Sequence, residues 1–156
     1  MSTLILGRGH VGTAIHKHNP NFLFTRRKKT HTDTIVFDLE NKTTWKNLPS
    51  VENIIWTFPA RPLNLVEEFY ESKLSKVKNL IVMASTSCYI NKRQKEAIDE
   101  KSALNTSIIR VKGEEFLRSK GATIMCLAGI YDSERNPLNW LNKGLIRNPS
   151  KIFNLI

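Results

Sequence analysis

With 156 residues, 40% of them hydrophobic and 24% charged, the chain has the length of one domain and enough apolar material for a core, which excludes a disordered protein. A net charge of +10 leaves nucleic acid, an acidic membrane surface or an anionic small molecule as partners to weigh. No segment reaches the roughly 18 apolar residues of a membrane span, and no leader with a small-residue cleavage site opens the chain, so a soluble, cytoplasmic protein is expected.

The apolar run "STLIL" (2–6), ended by Gly7, reads as a buried strand. Val11, Ala14, Ile15 and His18 then recur at helical spacing, and Asn19-Pro20 ends that helix. "FLF" (22–24), "TIVFDL" (34–39) and "NIIWTF" (53–58) read as three more strands. Pro62 suits the first turn of a helix that carries Leu63, Val66, Phe69, Tyr70 and Leu74 on one side. "NLIVMAS" (79–85) is the fifth strand, and a polar stretch (86–104) follows it. A helix is expected from Asn105 to Lys120 with Ile108, Ile109, Phe116 and Leu117 turned inward, stopped by Gly121. "ATIMCLAGI" (122–130) is the sixth strand, and Pro137 to Leu145 a last short helix.

Strands this apolar, alternating with helices, predict a doubly wound, Rossmann-type parallel sheet with helices on both faces. Residues 1–156 form a single domain in this reading.

Gly7, Gly9 and Gly12 form GxGxxG, placed directly after the first strand and opening the first helix. In a dinucleotide site Gly7 permits the tight turn, Gly9 lets the backbone approach a pyrophosphate, and Gly12 lets the helix pack close. Arg8, His10 and Val11 complete the loop, whose free amides and positive helix end favour phosphate. A glycine turn without a ligand is the alternative.

Sites for NAD place an acid after the second strand; this chain has Thr25, Arg26 and Arg27 there. Two planar guanidinium forks suit a 2′-phosphate, so NADP is expected over NAD, with Arg8 within reach of the same group. The alternative is that Arg26 and Arg27 only begin a solvated run with Lys28 and Lys29. Asp38, followed by Leu39, stands where a carboxylate could meet the adenine edge, or could cap its own loop. Thr57, Phe58 and Pro59 end the fourth strand at the carboxyl edge where such sheets bind ligands.

Lys92, Arg93 and Lys95 make a looser basic cluster, and no aromatic residues interleave with either cluster, which argues against nucleic acid. Cys88 and Cys126 lack a CxxC or histidine pairing and read as small buried hydrophobes rather than a metal or redox site. His16, His18 and His31 have no metal-ligand spacing.

Four stretches, "GRGHVG" (7–12), "FTRR" (24–27), "MASTSCY" (83–89) and "LAGIYDSERNPL" (127–138), together resemble the extended short-chain dehydrogenase/reductase superfamily, the NAD(P)-dependent epimerase/dehydratase group. The resemblance implies an NADP-dependent oxidoreductase or epimerase/dehydratase acting on a hydroxyl- or carbonyl-bearing metabolite such as a nucleotide-sugar. It makes Ser85 the catalytic hydroxyl and places Thr86, Ser87, Tyr89, Tyr131 and Arg135 around a small-molecule substrate.

The resemblance also breaks. The superfamily's catalytic tyrosine and lysine fall on Thr106 and Arg110, which cannot run the usual proton relay. Tyr89, Tyr131 or a water would then move the proton, with Arg110 in electrostatic support; otherwise the chain is a non-catalytic NADP-binding module. Ile90 replaces a glycine, Cys126 an arginine, and "DSER" (132–135) a Gly-Pro-Gly-Arg turn that keeps Arg135. "KIFNLI" (151–156) is similar to the approach to a His-x-Asp-Asp segment, so 137–156 reads as the start of an incomplete substrate-binding portion. A C-terminal truncation is expected on that ground, with a homo-oligomer contact as the other way to cover the pocket.

Overall fold

A computed structural model describes residues 2–29, 32, 34–90, 97–133 and 135–145. Lys92, Arg93, Lys95, His31 and the segment 151–156 lie outside the described residues. Six parallel strands form one sheet in the order β3-β2-β1-β4-β5-β6. They are β1 (Thr3–Leu6), β2 (Leu23–Arg26), β3 (Ile35–Val36), β4 (Asn53–Trp56), β5 (Asn79–Ser85) and β6 (Thr123–Leu127). Growth runs outward from β1 in both directions, first to β2 and β3, then to β4, β5 and β6. Right-handed crossovers in opposite directions place helices on opposite faces.

Side-chain alternation along β1 confirms this. Ile5 faces α1 (His10–His18), where a Cβ at Gly12 would meet Ile5 Cγ2 at 3.2 Å. Leu4 and Leu6 face the other way, into a core with Val66 and Phe69 of α2 (Leu63–Phe69) and Leu117 of α3 (Ile109–Ser119). The centre of that core is aromatic: Phe69 packs against Phe37, Trp45 and Trp56 at ring separations of 5.1, 5.0 and 5.7 Å. The contacts with Trp45 and Trp56 are edge-on and that with Phe37 is tilted, and aromatic pairs of this kind add about 0.5–1.5 kcal/mol each to the burial of the rings.

Several elements differ from their expected limits. The second strand begins one residue later and runs through Arg26, because Thr25 and Arg26 pair with Ile35 and Val36 of β3. Pro62 stands at the N-cap of α2 rather than inside its first turn, and Tyr70–Leu74 winds as a π-helical turn. In α1 only Gly12 is buried; Ala14 and His18, expected on the inner face, are exposed. The third helix starts at Ile109, not Asn105, since Asn105–Ser107 is held in a side-chain turn on Asn105 Oδ1. Its buried residues are Val111, Gly113, Glu114 and Leu117, and Ile109 is 59% exposed rather than inward. Gly113 fixes that rotation, because a Cβ there would lie 2.1 Å from Ala60 O. The last helix, α4, is Pro137–Asn142.

Candidate functional site

The first loop is built by its neighbours. Gly7 has φ +91°, a conformation few side chains tolerate, and its N–H donates to Thr25 Oγ1 at 2.8 Å. Thr57 donates its hydroxyl to Gly7 O at 2.6 Å and lies within 3.0 Å of Leu6 O, and Phe58 packs beneath the glycine. A Cβ at Gly12 would meet Gly7 O at 2.1 Å, so the helix sits directly on the loop. At Gly9, by contrast, a Cβ would meet nothing within 4 Å. Gly9 is the N-cap of α1 and supplies no side chain to its first amides, which therefore look out from the loop.

A cleft of about 630 Å³ opens in front of Gly9. Of the residues expected to hold a cofactor, Gly7, Arg8, Gly9, Thr25, Arg26, Arg27, Asp38, Leu39, Thr57, Phe58 and Pro59 line it. Gly12 supports the loop from behind, while His10 and Val11 line a second cavity of about 750 Å³ that meets the first at Gly9. Phe37, Glu40, Lys28 and Arg61 also line the cleft and were not foreseen. Lys28 was visible as part of the basic run; Arg61 carries no local signal and arrives because β4 ends beside β1.

Five cations, Arg8, Arg26, Arg27, Lys28 and Arg61, thus face two carboxylates, Asp38 and Glu40. The Arg8 guanidinium lies over the Phe24 ring at 4.1 Å. Among the described residues, the buried Nε atoms of Arg8 and Arg26 have no hydrogen-bond partner. Unmet donors around an open glycine are what an anionic ligand would satisfy. Asp38 is partly committed to its own turn: its Oδ1 accepts the Glu40 N–H at 3.1 Å and its backbone carbonyl faces Trp45 Nε1 at 3.3 Å.

The cluster expected to do chemistry lies at the end of β5. Ser85 Oγ is 3.2 Å from Ser87 Oγ. Arg110, in the first turn of α3, donates to Ser87 Oγ at 2.9 Å and to Glu114 Oε1 at 2.6 Å. Glu114 is almost wholly buried, and that burial raises its carboxyl above the usual range while the Arg110 bond opposes the shift. Arg110 is therefore half of a buried ion pair. Thr106 sits exposed in the turn ahead of α3. Tyr89 donates its hydroxyl to Cys126 Sγ at 3.7 Å, and that bond, with burial second, pushes the phenol up to about 12. Thr86 opens the 3₁₀ turn Thr86–Cys88.

Tyr131 lines the second cavity beside Cys126, Ala128 and Asp132. His10 Nε2 lies 3.4 Å from Asp132 Oδ2, joining the glycine loop to the loop after β6. Arg135 is exposed and closes that loop through its backbone N–H to Asp132 Oδ1 at 2.7 Å. His16 is structural, with Nδ1 3.1 Å from Phe22 O and its ring edge on Phe24. Cys126 is only partly buried, which corrects the expectation that both cysteines are buried. Among the described residues no group of three or more His, Cys, Asp or Glu could hold a metal ion, and no helix is long and apolar enough to cross a membrane.

No protein-family model matches the chain. No curated protein matches it either. Solved structures share its fold. MoeE5, solved in complex with UDP-glucose and NAD, superposes with a TM-score of 0.70 at 13% identity over 96% of this chain and 61% of its own. A Methylobacillus flagellatus protein assigned as an NAD-dependent epimerase/dehydratase gives 0.69 at 18% identity over 99% and 64%. UDP-N-acetylglucosamine 4-epimerase from Bacillus cereus gives 0.60 at 14% identity over 92% and 66%. The chain has the Rossmann-type fold of these proteins and spans less than two thirds of the length of each. The resemblance stated from the motifs therefore agrees with the fold.

Proposed function

We propose that this chain binds NADP in the glycine-loop cleft and serves oxidoreductase or epimerase/dehydratase chemistry on a hydroxyl- or carbonyl-bearing metabolite such as a nucleotide-sugar. The observation that carries the reading is the ring of five cations around the open side of Gly9, two of them with buried, unpartnered Nε atoms. The amides at the start of α1 would take the pyrophosphate, and the forks of Arg26 and Arg27 the 2′-phosphate. Asp38 and Leu39, in the first cleft, would face the adenosine end, and His10, Val11 and Tyr131, in the second cavity, the nicotinamide end. Bound there, the dinucleotide would supply hydride exchange. Ser85, Ser87 and Tyr131 would hold the substrate oxygen and shape its pocket. MoeE5 with UDP-glucose and NAD supports a nicotinamide dinucleotide and this substrate class.

A second reading, binding without turnover, is favoured by one arrangement. Arg110, in the place of the superfamily's lysine, is tied to buried Glu114, and the Tyr89 phenol at about 12 is poorly placed to exchange a proton near neutral pH. The test is fluorescence titration of the full chain with NADPH and NADH, followed by assays on UDP-sugars and small carbonyls. Tighter binding of NADPH with turnover supports the first reading. NADPH binding with no turnover on any substrate selects the second. Binding of neither dinucleotide overturns both.

A further inference from the structure

Cys88 and Cys126 are 38 positions apart and carry no sequence signal as a pair, yet their sulfurs lie 3.6 Å from each other. The fold brings them together in two steps. Parallel pairing sets Ala84 of β5 opposite Cys126 of β6, and the 3₁₀ turn Thr86–Cys88 then folds Cys88 back over the edge strand. Both are free thiols. A disulfide requires a sulfur separation of about 2.05 Å, so bonding asks for a closure of roughly 1.5 Å.

Access to the two is unequal. Cys88 is 2% exposed, whereas Cys126 is partly exposed and lines the second cavity next to His10 and Tyr131. A reagent entering that cavity meets Cys126 first, and Cys88 stands directly behind it.

We propose that Cys88 and Cys126 are a modification site for low-molecular-weight disulfides, in which Cys126 attacks and Cys88 resolves to a reversible intramolecular disulfide. The Cys126 thiolate attacks one sulfur of R–S–S–R; a Cys126–S–S–R bond forms, the S–S bond of the reagent breaks, and the departing RS⁻ takes up the Cys126 proton as RSH. Cys88 then loses its proton and attacks Cys126 Sγ, displacing the second RS⁻, which leaves as RSH. Two protein thiols are oxidised by two electrons and one disulfide is reduced to two thiols.

The surroundings of Cys88 keep it from reacting first. Burial first, then the contact with Cys126, pushes its thiol up to about 12, with Glu114 adding to the shift and Arg110 opposing it; Tyr89 stands beside them. A thiol so protonated is inert toward solvent-borne reagents, but a mixed disulfide on Cys126 places an electrophilic sulfur at contact distance. The new bond also takes Cys126 Sγ from the Tyr89 hydroxyl and ties the turn after Ser85 to β6. The contact between the two sulfurs does not depend on what the glycine-loop cleft binds, and the test is run without dinucleotide.

The test uses the full chain with oxidised glutathione, read by intact mass and by thiol titration after denaturation. The expected product has lost two hydrogens and both thiols, carries no glutathione, and returns to the dithiol with dithiothreitol. Cys88→Ser should accumulate a stable glutathione adduct on Cys126, and Cys126→Ser should stay reduced while natively folded. A wild-type chain that ends as a stable glutathione adduct or a disulfide-linked dimer would overturn the proposal. So would a wild-type chain that keeps both thiols over a time in which Cys88→Ser is fully modified.

Discussion

Gly9 and Gly12 belong to one motif but answer to different forces. Gly12 has no room, with Gly7 O where its Cβ would go, so Gly12→Ala should cost about 3 kcal/mol or more and show as a large loss of soluble protein or a fall in Tm. Gly9 has open space, so Gly9→Ala should change stability by about 1 kcal/mol or less while weakening dinucleotide binding about tenfold or more. Thermal melts beside NADPH titrations separate the two; equal loss of stability in both variants would refute this division. At the same scale, Arg26 and Arg27 line the cleft and in the proposed reading set the choice of nucleotide. Replacing both with alanine should weaken NADPH by about 10- to 100-fold and NADH by about threefold or less, since only the phosphate draws on charge-assisted bonds. The glycine spacing and the arginine pair were legible because each acts within a few residues of a strand end. Arg61 and the Cys88–Cys126 contact were not, because each depends on strands that meet only through the sheet.

Among the elements, α3 departs furthest from its periodicity. The apolar residues Ile108 and Ile109 suggested an inner face, but the close approach of Gly113 to Ala60 turns the helix so that Val111, Glu114 and Leu117 point inward. A buried glutamate is what a hydrophobic count misreads. Its carboxyl needs a partner, and Arg110, one turn earlier, supplies it at 2.6 Å. Arg110→Ala leaves that charge buried alone and should cost roughly 3–5 kcal/mol at neutral pH. Burial already raises the Glu114 carboxyl, and loss of Arg110 raises it further. A raised carboxyl contributes stability below its unfolded value that is lost as pH rises through the folded value. The Arg110→Ala deficit should therefore shrink as pH falls from about 8 to about 5. Denaturant melts at the two values check it; a deficit that grows on acidification would contradict the account. The first helix shows the same limit, for its expected inner face includes Ala14 and His18, which border the second cavity instead.

At the scale of the molecule, the reversal of strand order between β1 and β4 opens the crevice in which the glycine loop sits. The net charge of +10 has a place there, since cations outnumber carboxylates five to two along the cleft. NADPH affinity should consequently fall as ionic strength rises from about 0.05 to about 0.5 M, and more steeply than NADH affinity, because screening acts on the extra phosphate. Parallel salt titrations measure the two slopes, and identical slopes would count against a 2′-phosphate site among Arg26, Arg27 and Lys28. Failure of the chain to retard labelled DNA or RNA at low salt would separately set aside nucleic acid as the partner of this charge.

The alternation of strands and helices, the glycine spacing and the arginines after β2 follow from the amino-acid sequence alone, because period, backbone freedom and charge act over a handful of neighbouring residues. The inward face of α3, the Arg110–Glu114 pair and the meeting of two thiols 38 positions apart were decided only by tertiary structure. Sheet register and the helix–sheet contacts that set a helix's rotation couple residues far apart in the chain, and local pattern carries no record of that coupling.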